Sequence, residues 1–138
     1  MDFIERDLED IIFNSPTKGL RERGLDSYWY NAHTYRQLTI GNYGIADIVQ
    51  FKRTSEPYYE GDILCYNPSL EFNIIELKKN LINIDTLLQA IGYCKGILKF
   101  IESRNSFDIT STFTITLIGK KIDMSSFVYL PEIVNSND

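Results

Sequence analysis

The segment Phe72-Asn73-Ile74-Ile75-Glu76-Leu77-Lys78-Lys79 sets a carboxylate and an ammonium two residues apart inside an otherwise apolar, strand-like run. Strand alternation puts Glu76 and Lys78 on one face and Ile75 and Leu77 on the other. Charged side chains are rarely buried without a partner, so a fold that accepts this pair calls for a metal, a substrate or a second carboxylate beside it. The plainer reading is an edge-strand ion pair, which is common and weak. A second apolar run, Gly44-Ile45-Ala46-Asp47-Ile48-Val49-Gln50-Phe51, is also interrupted by one carboxylate, Asp47. If the two runs are neighbouring strands with Asp47 and Glu76 on the same face, the carboxylates converge on a divalent cation, with Lys78 just beyond. Hard cations such as Mg²⁺ take oxygen ligands and keep several waters, so two carboxylates and a backbone carbonyl suffice.

These residues need a scaffold, and hydrophobic periodicity outlines one. Ile4, Leu8, Ile11 and Ile12 recur at helical spacing, which predicts an amphipathic helix over residues 2–13, ended by Asn14-Ser15-Pro16. Glu5 and Glu9 lie one turn apart on it, both expected on a solvated face near the helix N-terminus. Residues 17–33 hold Gly19, Gly24 and Tyr28-Trp29-Tyr30, an aromatic cluster that packs a loop against the core in preference to stacking nucleotide bases. Residues 34–41 read as a strand, Asn42-Tyr43 as a turn and 44–53 as the hairpin partner. Thr54 to Leu70, rich in Pro, Glu, Tyr and Asn, reads as an insertion between the two acids, with Asp62 to Tyr66 as an additional strand. It is the place for substrate choice, since loops carry specificity on a rigid scaffold. Glu60 and Asp62 within it are alternatives to Asp47.

A helix follows from Asp85, its N-cap, to about Ser103, with Leu87, Leu88, Ile91, Cys94, Leu98 and Ile101 as the apolar face. Gln89 and Tyr93, four apart, share a neighbouring face. On residue type alone Gln89 is a satisfied polar group and Tyr93 a core residue. Gly92 and Gly96 lower helix propensity but let the helix lie close to the sheet or to a phosphate backbone. Ser111 to Lys120 alternates Phe113, Ile115 and Leu117 against threonines, a strand with one wet face. Phe127 to Leu130 reads as a short last strand and Asn135 to Asp138 as a frayed tail.

Asp47, the tripeptide Glu76-Leu77-Lys78, the helical Gln89-Ala90-Ile91-Gly92-Tyr93 and the opening Glu5-Arg6-Asp7-Leu8-Glu9 together resemble the motifs of the PD-(D/E)XK nuclease superfamily. The Gln-x-x-x-Tyr spacing is similar to its RecB-like branch and the Glu-x-x-Leu opening to Holliday-junction resolvases. The matches cover about residues 3–118 in the family's order. The resemblance implies an α/β fold: a restriction-endonuclease-like mixed central sheet flanked by helices, with an αβββαβ core. It implies Mg²⁺- or Mn²⁺-dependent hydrolysis of DNA, as an endonuclease of repair, recombination, restriction or a mobile element. It also implies roles. Asp47 and Glu76 hold the metal, with the Leu77 carbonyl as a third ligand. Lys78 orients or deprotonates the attacking water and steadies the phosphate. Glu5 completes the metal shell, with Glu9 still open as the helix acid. Gln89 positions the scissile phosphate or an acidic ligand, and Tyr93 supports it. DNA is the implied partner, with a protein partner or a homodimer beside it. The competing expectation is a nuclease-fold protein that binds nucleic acid or protein without cutting. A third is an unrelated α/β scaffold in which Asp47 and Glu76 face apart.

At 138 residues and 43% hydrophobic, the chain suits one domain spanning 1–138. No apolar run approaches the ~18 to 20 residues that span a bilayer, and the start lacks a signal peptide's pattern, so a cytoplasmic protein with no membrane role is expected. Cys65 and Cys94 lack metal-ligand spacing and read as free thiols. The single histidine, His33, disfavours a zinc site or a Ser-His triad and reads as a loop residue without a role. A net charge of −5 disfavours affinity built on long-range phosphate attraction. Lys78, Lys79, Lys95, Lys99, Arg104, Lys120 and Lys121 form either a local basic face or a solvated surface. The acidity predicts weak non-specific binding or a partner that delivers the substrate.

Overall fold

The computed structural model describes residues 5–15, 28–29, 32–104 and 109–129. Ile4, Pro16, Gly19, Gly24, Tyr30, Leu130 and the tail from Asn135 lie outside them. The fold is mixed α/β. A four-stranded sheet in the order β1-β2-β3-β5 is built from β1 (His33–Thr39), β2 (Ile45–Glu60), β3 (Ile63–Leu77) and β5 (Thr110–Ile118). Strands β1, β2 and β3 form an antiparallel meander, while β5 joins β3 in parallel after the crossover helix α2 (Ile84–Arg104). The helix α1 (Glu5–Asn14) precedes the sheet. Two-residue strands β4 (Leu81–Ile82) and β6 (Lys121–Ile122) pair in parallel, too short to leave a periodic signal. No described helix is long and apolar enough to cross a membrane.

Alternation divides the core in two. Phe72 and Ile74 pack with Ala90, Tyr93, Ile97 and Ile101 of α2, while Ile75 and Leu77 pack with Ile12 and Leu8 of α1, Tyr28 and Ile48. Successive strand residues point to opposite faces, so each face carries one helix. On the α2 face His33, Phe51, Phe72 and Phe113 form a cross-strand aromatic row at centroid spacings of 6.1, 5.2 and 5.2 Å. His33 is thus a strand residue and not the loop residue expected. In the neighbouring row Gln50 and Asn73 are fully buried. Asn73 Nδ2 donates to Gln50 Oε1 at 3.0 Å, and Thr116 Oγ1 donates to Asn73 at 3.0 Å. Gln50 also accepts from Trp29 N (2.8 Å) and donates to Trp29 O (3.1 Å) and Thr34 (3.2 Å). This network latches the Tyr28-Trp29 segment onto the sheet, and Lys52 Nζ sits 4.4 Å above the Trp29 ring. Tyr28 is a core residue, as the packing reading expects.

Several local expectations are corrected. The second strand does not stop near residue 53. Thr54 to Leu70 is the outer half of a continuous β2–β3 hairpin, in register from Ile48↔Ile75 to Glu60↔Ile63. The prolines that read as breakers, Pro57 and Pro68, lie where only two strands pair, and strand edges tolerate proline. Gly61, at φ +64, takes the first central position of the turn, as type II′ turns require. The α2 N-cap is Asn83, whose Oδ1 accepts from Thr86 N at 3.2 Å and whose own N–H donates to Thr86 Oγ1 at 3.4 Å. Its buried stripe is Thr86, Ala90, Tyr93, Gly96, Ile97 and Ile101, rotated from the one expected, and Leu98 faces solvent. On α1 Ile11 is exposed while Glu9 is buried. The span expected as a last strand is a 3₁₀ helix, Met124–Tyr129.

Gly96 explains the rotation. A Cβ there would stand 2.6 Å from Ile40 Cγ2 and 2.7 Å from Tyr43 Cδ2, so α2 lies against the β1–β2 connection only because this position is bare. Gly96→Ala gains up to ~1 kcal/mol of helix propensity. Overpacking against the buried, β-branched Ile40 costs ~1 to 3 kcal/mol and wins. Urea unfolding should show Gly96→Ala destabilised, while Gly92→Ala, whose Cβ meets only Tyr43 at 3.9 Å, should be neutral or stabilised.

Candidate active site

The backbone ladder between β2 and β3 ends at Ile48↔Ile75. One step further, at the end of the same register, Asp47 stands opposite Glu76. There the carboxylates take over from the carbonyls: Asp47 N donates to Glu76 Oε1 at 3.1 Å and Leu77 N donates to Asp47 Oδ2 at 2.8 Å. Beyond this point β2 keeps its pairing with β1 (Leu38↔Ala46) and β3 keeps its pairing with β5 (Leu77↔Ile118). The sheet therefore forks, with the two acids at the crotch. Asp47 and Glu76 face each other, which excludes the arrangement in which they point apart. Glu60 and Asp62 sit at the far tip of the hairpin and are excluded as partners of Glu76.

Electrostatics mark the pair. Burial first, then the charge of Asp47, pushes the Glu76 carboxyl up to about 7, against the opposing pull of the Asp47 N–H and the Lys78 ammonium. Burial likewise raises Asp47, helped by the charges of Glu9 and Glu5 and resisted by the Leu77 N–H and Gln37. Like charges directly opposite on neighbouring strands are destabilising. The three ion pairs among the described residues are Arg36–Glu9, Arg36–Asp10 and Lys52–Glu71, so none neutralises Asp47 or Glu76.

Around Asp47 opens a cleft of about 740 Å³ lined by Glu5, Glu9, Asp10, Arg36, Gln37 and Arg6. Glu9, not Glu5, is wired to the pair. Its carboxylate accepts from Arg36 Nε at 2.8 Å and from Gln37 Nε2 at 2.7 Å, and the same amide reaches Asp47 Oδ1 at 3.4 Å. Gln37 stands opposite Asp47 on β1 and has φ +49, the one non-glycine residue in the left-handed region among those described. Strain of this kind persists only where surroundings enforce it, and it gathers at functional sites. Glu5 lies at the rim, accepting from Lys79 N at 3.1 Å. Sequence reading did not single out Gln37 or Arg36, because their meaning comes from the pairing of β1 with β2 and α1.

Lys78 is half-buried just past the end of β3. With Lys79, Lys120, Glu5, Leu8 and Ile118 it lines a smaller pocket of about 240 Å³, which brings three of the seven named cations together around Glu5. The Leu77 side chain is core, and its N–H is engaged by Asp47. Tyr93 is fully buried beneath Gly44, donating to Ile45 O at 2.9 Å and accepting from Gln89 Nε2 at 2.7 Å. Burial and then the charge of Glu76 raise its phenol. Gln89 and Tyr93 are together as their spacing implies, but they clamp the start of β2. The phenol is itself fully buried. Cys65 and Cys94 are free thiols, and burial pushes Cys94 up to about 11.

Asp47 and Glu76 suit a hard divalent cation as donors: two adjacent oxygen acids, both raised by burial and without a paired cationic side chain among the described residues. No three His, Cys, Asp or Glu side chains gather closely enough among the described residues to hold an ion unaided. A cation here would need a backbone carbonyl and waters as well. In comparisons with known proteins, the chain matches no family model, no curated sequence and no solved structure.

The raised carboxyls fix a pH dependence. Between the ordinary carboxylate range and about pH 7 the folded protein keeps a proton on Glu76 that the unfolded chain has released. Stability therefore falls as pH rises through that window, by on the order of 3 kcal/mol once Glu76 is fully ionised. Asp47 shifts in the same direction and adds to the slope. Urea unfolding in EDTA should show a more stable protein at mildly acid than at mildly alkaline pH, and Glu76→Gln should flatten most of the difference. An unchanged slope in Glu76→Gln would refute this electrostatic account.

Proposed function

We propose that this chain is a metal-dependent nuclease of the PD-(D/E)XK type, hydrolysing DNA phosphodiester bonds. The observation that carries the proposal is the forked register that sets Asp47 opposite Glu76, with Lys78 just past the end of β3. The element order α1, β1, β2, β3, α2, β5 supports the αβββαβ reading of the fold.

Asp47, Glu76 and the Leu77 carbonyl would hold Mg²⁺ or Mn²⁺, with Glu9 or Glu5 binding its waters. A bound divalent ion supplies an acidified water and neutralises charge developing on the phosphate. The protein's own groups do the rest. The Leu77 N–H and Gln37 fix the Asp47 oxygens, and the Asp47 N–H fixes Glu76, so the carboxylates are oriented before any ligand arrives. Lys78 steadies the anionic phosphate and directs the attacking water. Tyr93 and Gln89 hold the Ile45 carbonyl and with it the approach of β2 to the fork. Arg36 offsets the charge of Glu9 and Asp10 on the α1 side of the cleft.

The test is cleavage of labelled linear, single-stranded, circular and branched DNAs in Mg²⁺ or Mn²⁺. Glu76→Ala and Asp47→Asn should each lower the rate by ~10² or more, and Lys78→Ala by ~10² with little change in Mn²⁺ affinity. Mn²⁺ should also raise thermal stability at mildly alkaline pH in the wild type and not in Asp47→Asn. A folded protein that binds no Mn²⁺ and cuts nothing would overturn the proposal in favour of a nuclease-fold binding protein, the reading that the net charge of −5 favours.

A further inference from the structure

Strands β3 and β5 run parallel and end together, at the pair Leu77↔Ile118. Open α/β sheets bind their ligands beyond the carboxyl ends of such strands. The segments that follow stay side by side: Lys78 N donates to Ile118 O at 2.8 Å, and Lys121 N donates to Asn80 O at 2.9 Å. Gly119 permits this approach, since a Cβ there would stand 2.9 Å from Ile82 Cγ1 and 3.3 Å from the Lys78 carbonyl oxygen. The result is the pocket of about 240 Å³ in which Lys78, Lys79 and Lys120 meet Leu8 and Ile118.

This pocket and the acid cleft have opposite charge and join at one residue. Four carboxylates and two guanidinium groups line the cleft, whereas three ammonium groups and one carboxylate line the pocket. The residue common to both is Glu5. Its carboxylate accepts from the backbone N–H of Lys79 at 3.1 Å and is in no ion pair among the described residues. Those ion pairs also leave Lys78 and Lys79 without a carboxylate partner among the described residues. A negative group thus already rests on a backbone donor at the rim, and the lysine charge around it exceeds its own. Apolar walls strengthen the attraction of such charges for an anion.

Lysine side chains and backbone N–H groups are common partners of phosphate oxygens. A phosphate group brings up to two negative charges and three acceptor oxygens, a fuller match to three ammonium groups than one carboxylate provides. We propose that this pocket is a phosphate-binding subsite in which Lys79 and Lys120 hold a phosphate of a nucleic-acid strand, with Glu5 as an internal stand-in that the phosphate displaces from the Lys79 N–H. That the phosphate belongs to a nucleic acid rests on the nuclease reading; that the pocket takes a phosphate group rests on its own geometry. Because the pocket adjoins the Asp47 cleft at Glu5, a strand gripped there has one of its bonds set over the acids. The gripped group is either an internal phosphate of that strand or its terminal one.

The test is binding of fluorescent oligonucleotides, with phosphorylated or unphosphorylated ends, in EDTA, so that no cutting is involved. Lys79→Gln with Lys120→Gln should weaken binding ~10-fold at low salt and lower the slope of log affinity against log salt by about 1, with thermal unfolding and the Mn²⁺ response as in the wild type. Glu5→Gln should tighten binding several-fold by removing the internal competitor. Lys99→Gln with Arg104→Gln, exposed on α2 across the sheet, should change it little. A loss confined to phosphorylated ends assigns the subsite to a terminal phosphate, and an equal loss with both ends assigns it to an internal one. Inorganic phosphate separates this inference from the nuclease reading: it should protect the wild type against heat more than the double variant, whether or not DNA is bound or cut. The inference is overturned if the double variant matches the wild type in both DNA binding and phosphate protection. It is overturned equally if the α2 changes weaken binding as much, or if Glu5→Gln weakens it.

Discussion

Two carboxylates placed opposite each other at the end of a ladder are the constraint around which this structure is arranged. Backbone pairing between β2 and β3 could have continued past Ile48↔Ile75; instead Asp47 and Glu76 supply the acceptors, and the strands part. Ionising Glu76 in place costs on the order of 3 kcal/mol. Folded domains have only about 5–15 kcal/mol of net stability. That is a large share to concentrate in one pair, so other features must offset it. The aromatic row from His33 to Phe113, the α2 helix closed down over Gly96, and the Asn83–Thr86 cap stabilise the sheet without touching the acids.

The same sheet contains a second buried polar row, and the contrast between the two separates scaffold from site. Gln50 and Asn73 are as buried as Glu76, yet their amides are met by Trp29, Thr34, Thr116 and each other. Satisfied networks of neutral amides stiffen a core and specify how a segment docks. The Asp47–Glu76 row is met by backbone N–H groups, a long bond from a strained glutamine and a hydrogen bond between the two carboxyls themselves. It keeps like charges together where neutral amides were an available alternative. Burial alone would mark both rows as candidates; the state of charge selects one.

How much of this the sequence disclosed follows from the range of each signal. Alternation around Asp47 and Glu76 is local, so both strands and the helix carrying Gln89 and Tyr93 were readable, as was the approximate order of elements. What failed depended on partners distant in sequence. Pro57 and Pro68 read as loop residues because their tolerance comes from lying beyond β1 and β5. The inward face of α2 was misplaced because Gly96, apparently a poor helix residue, is where the helix approaches Ile40 and Tyr43 most closely. Glu9 read as a solvated acid because Arg36 and Gln37, which bury and satisfy it, arrive from β1. Gln37 itself carries no sequence signal, since its left-handed backbone is imposed by the sheet.

The two acids of α1 show why position on a helix is not position in a site. Glu5 and Glu9 are one turn apart and on the same side, yet Glu5 meets the backbone of Lys79 at the rim while Glu9 shares an amide with Asp47. Arg36 fixes the Glu9 carboxylate from one side as Gln37 fixes it from the other. A carboxylate so held adds negative potential at Asp47, which is one reason Asp47 is raised. An incoming cation would relieve the charge crowding at Asp47 and Glu76, whereas an anionic ligand would add to it. On the proposed nuclease reading a cation would therefore enter the cleft first, and a phosphate would bind beside it.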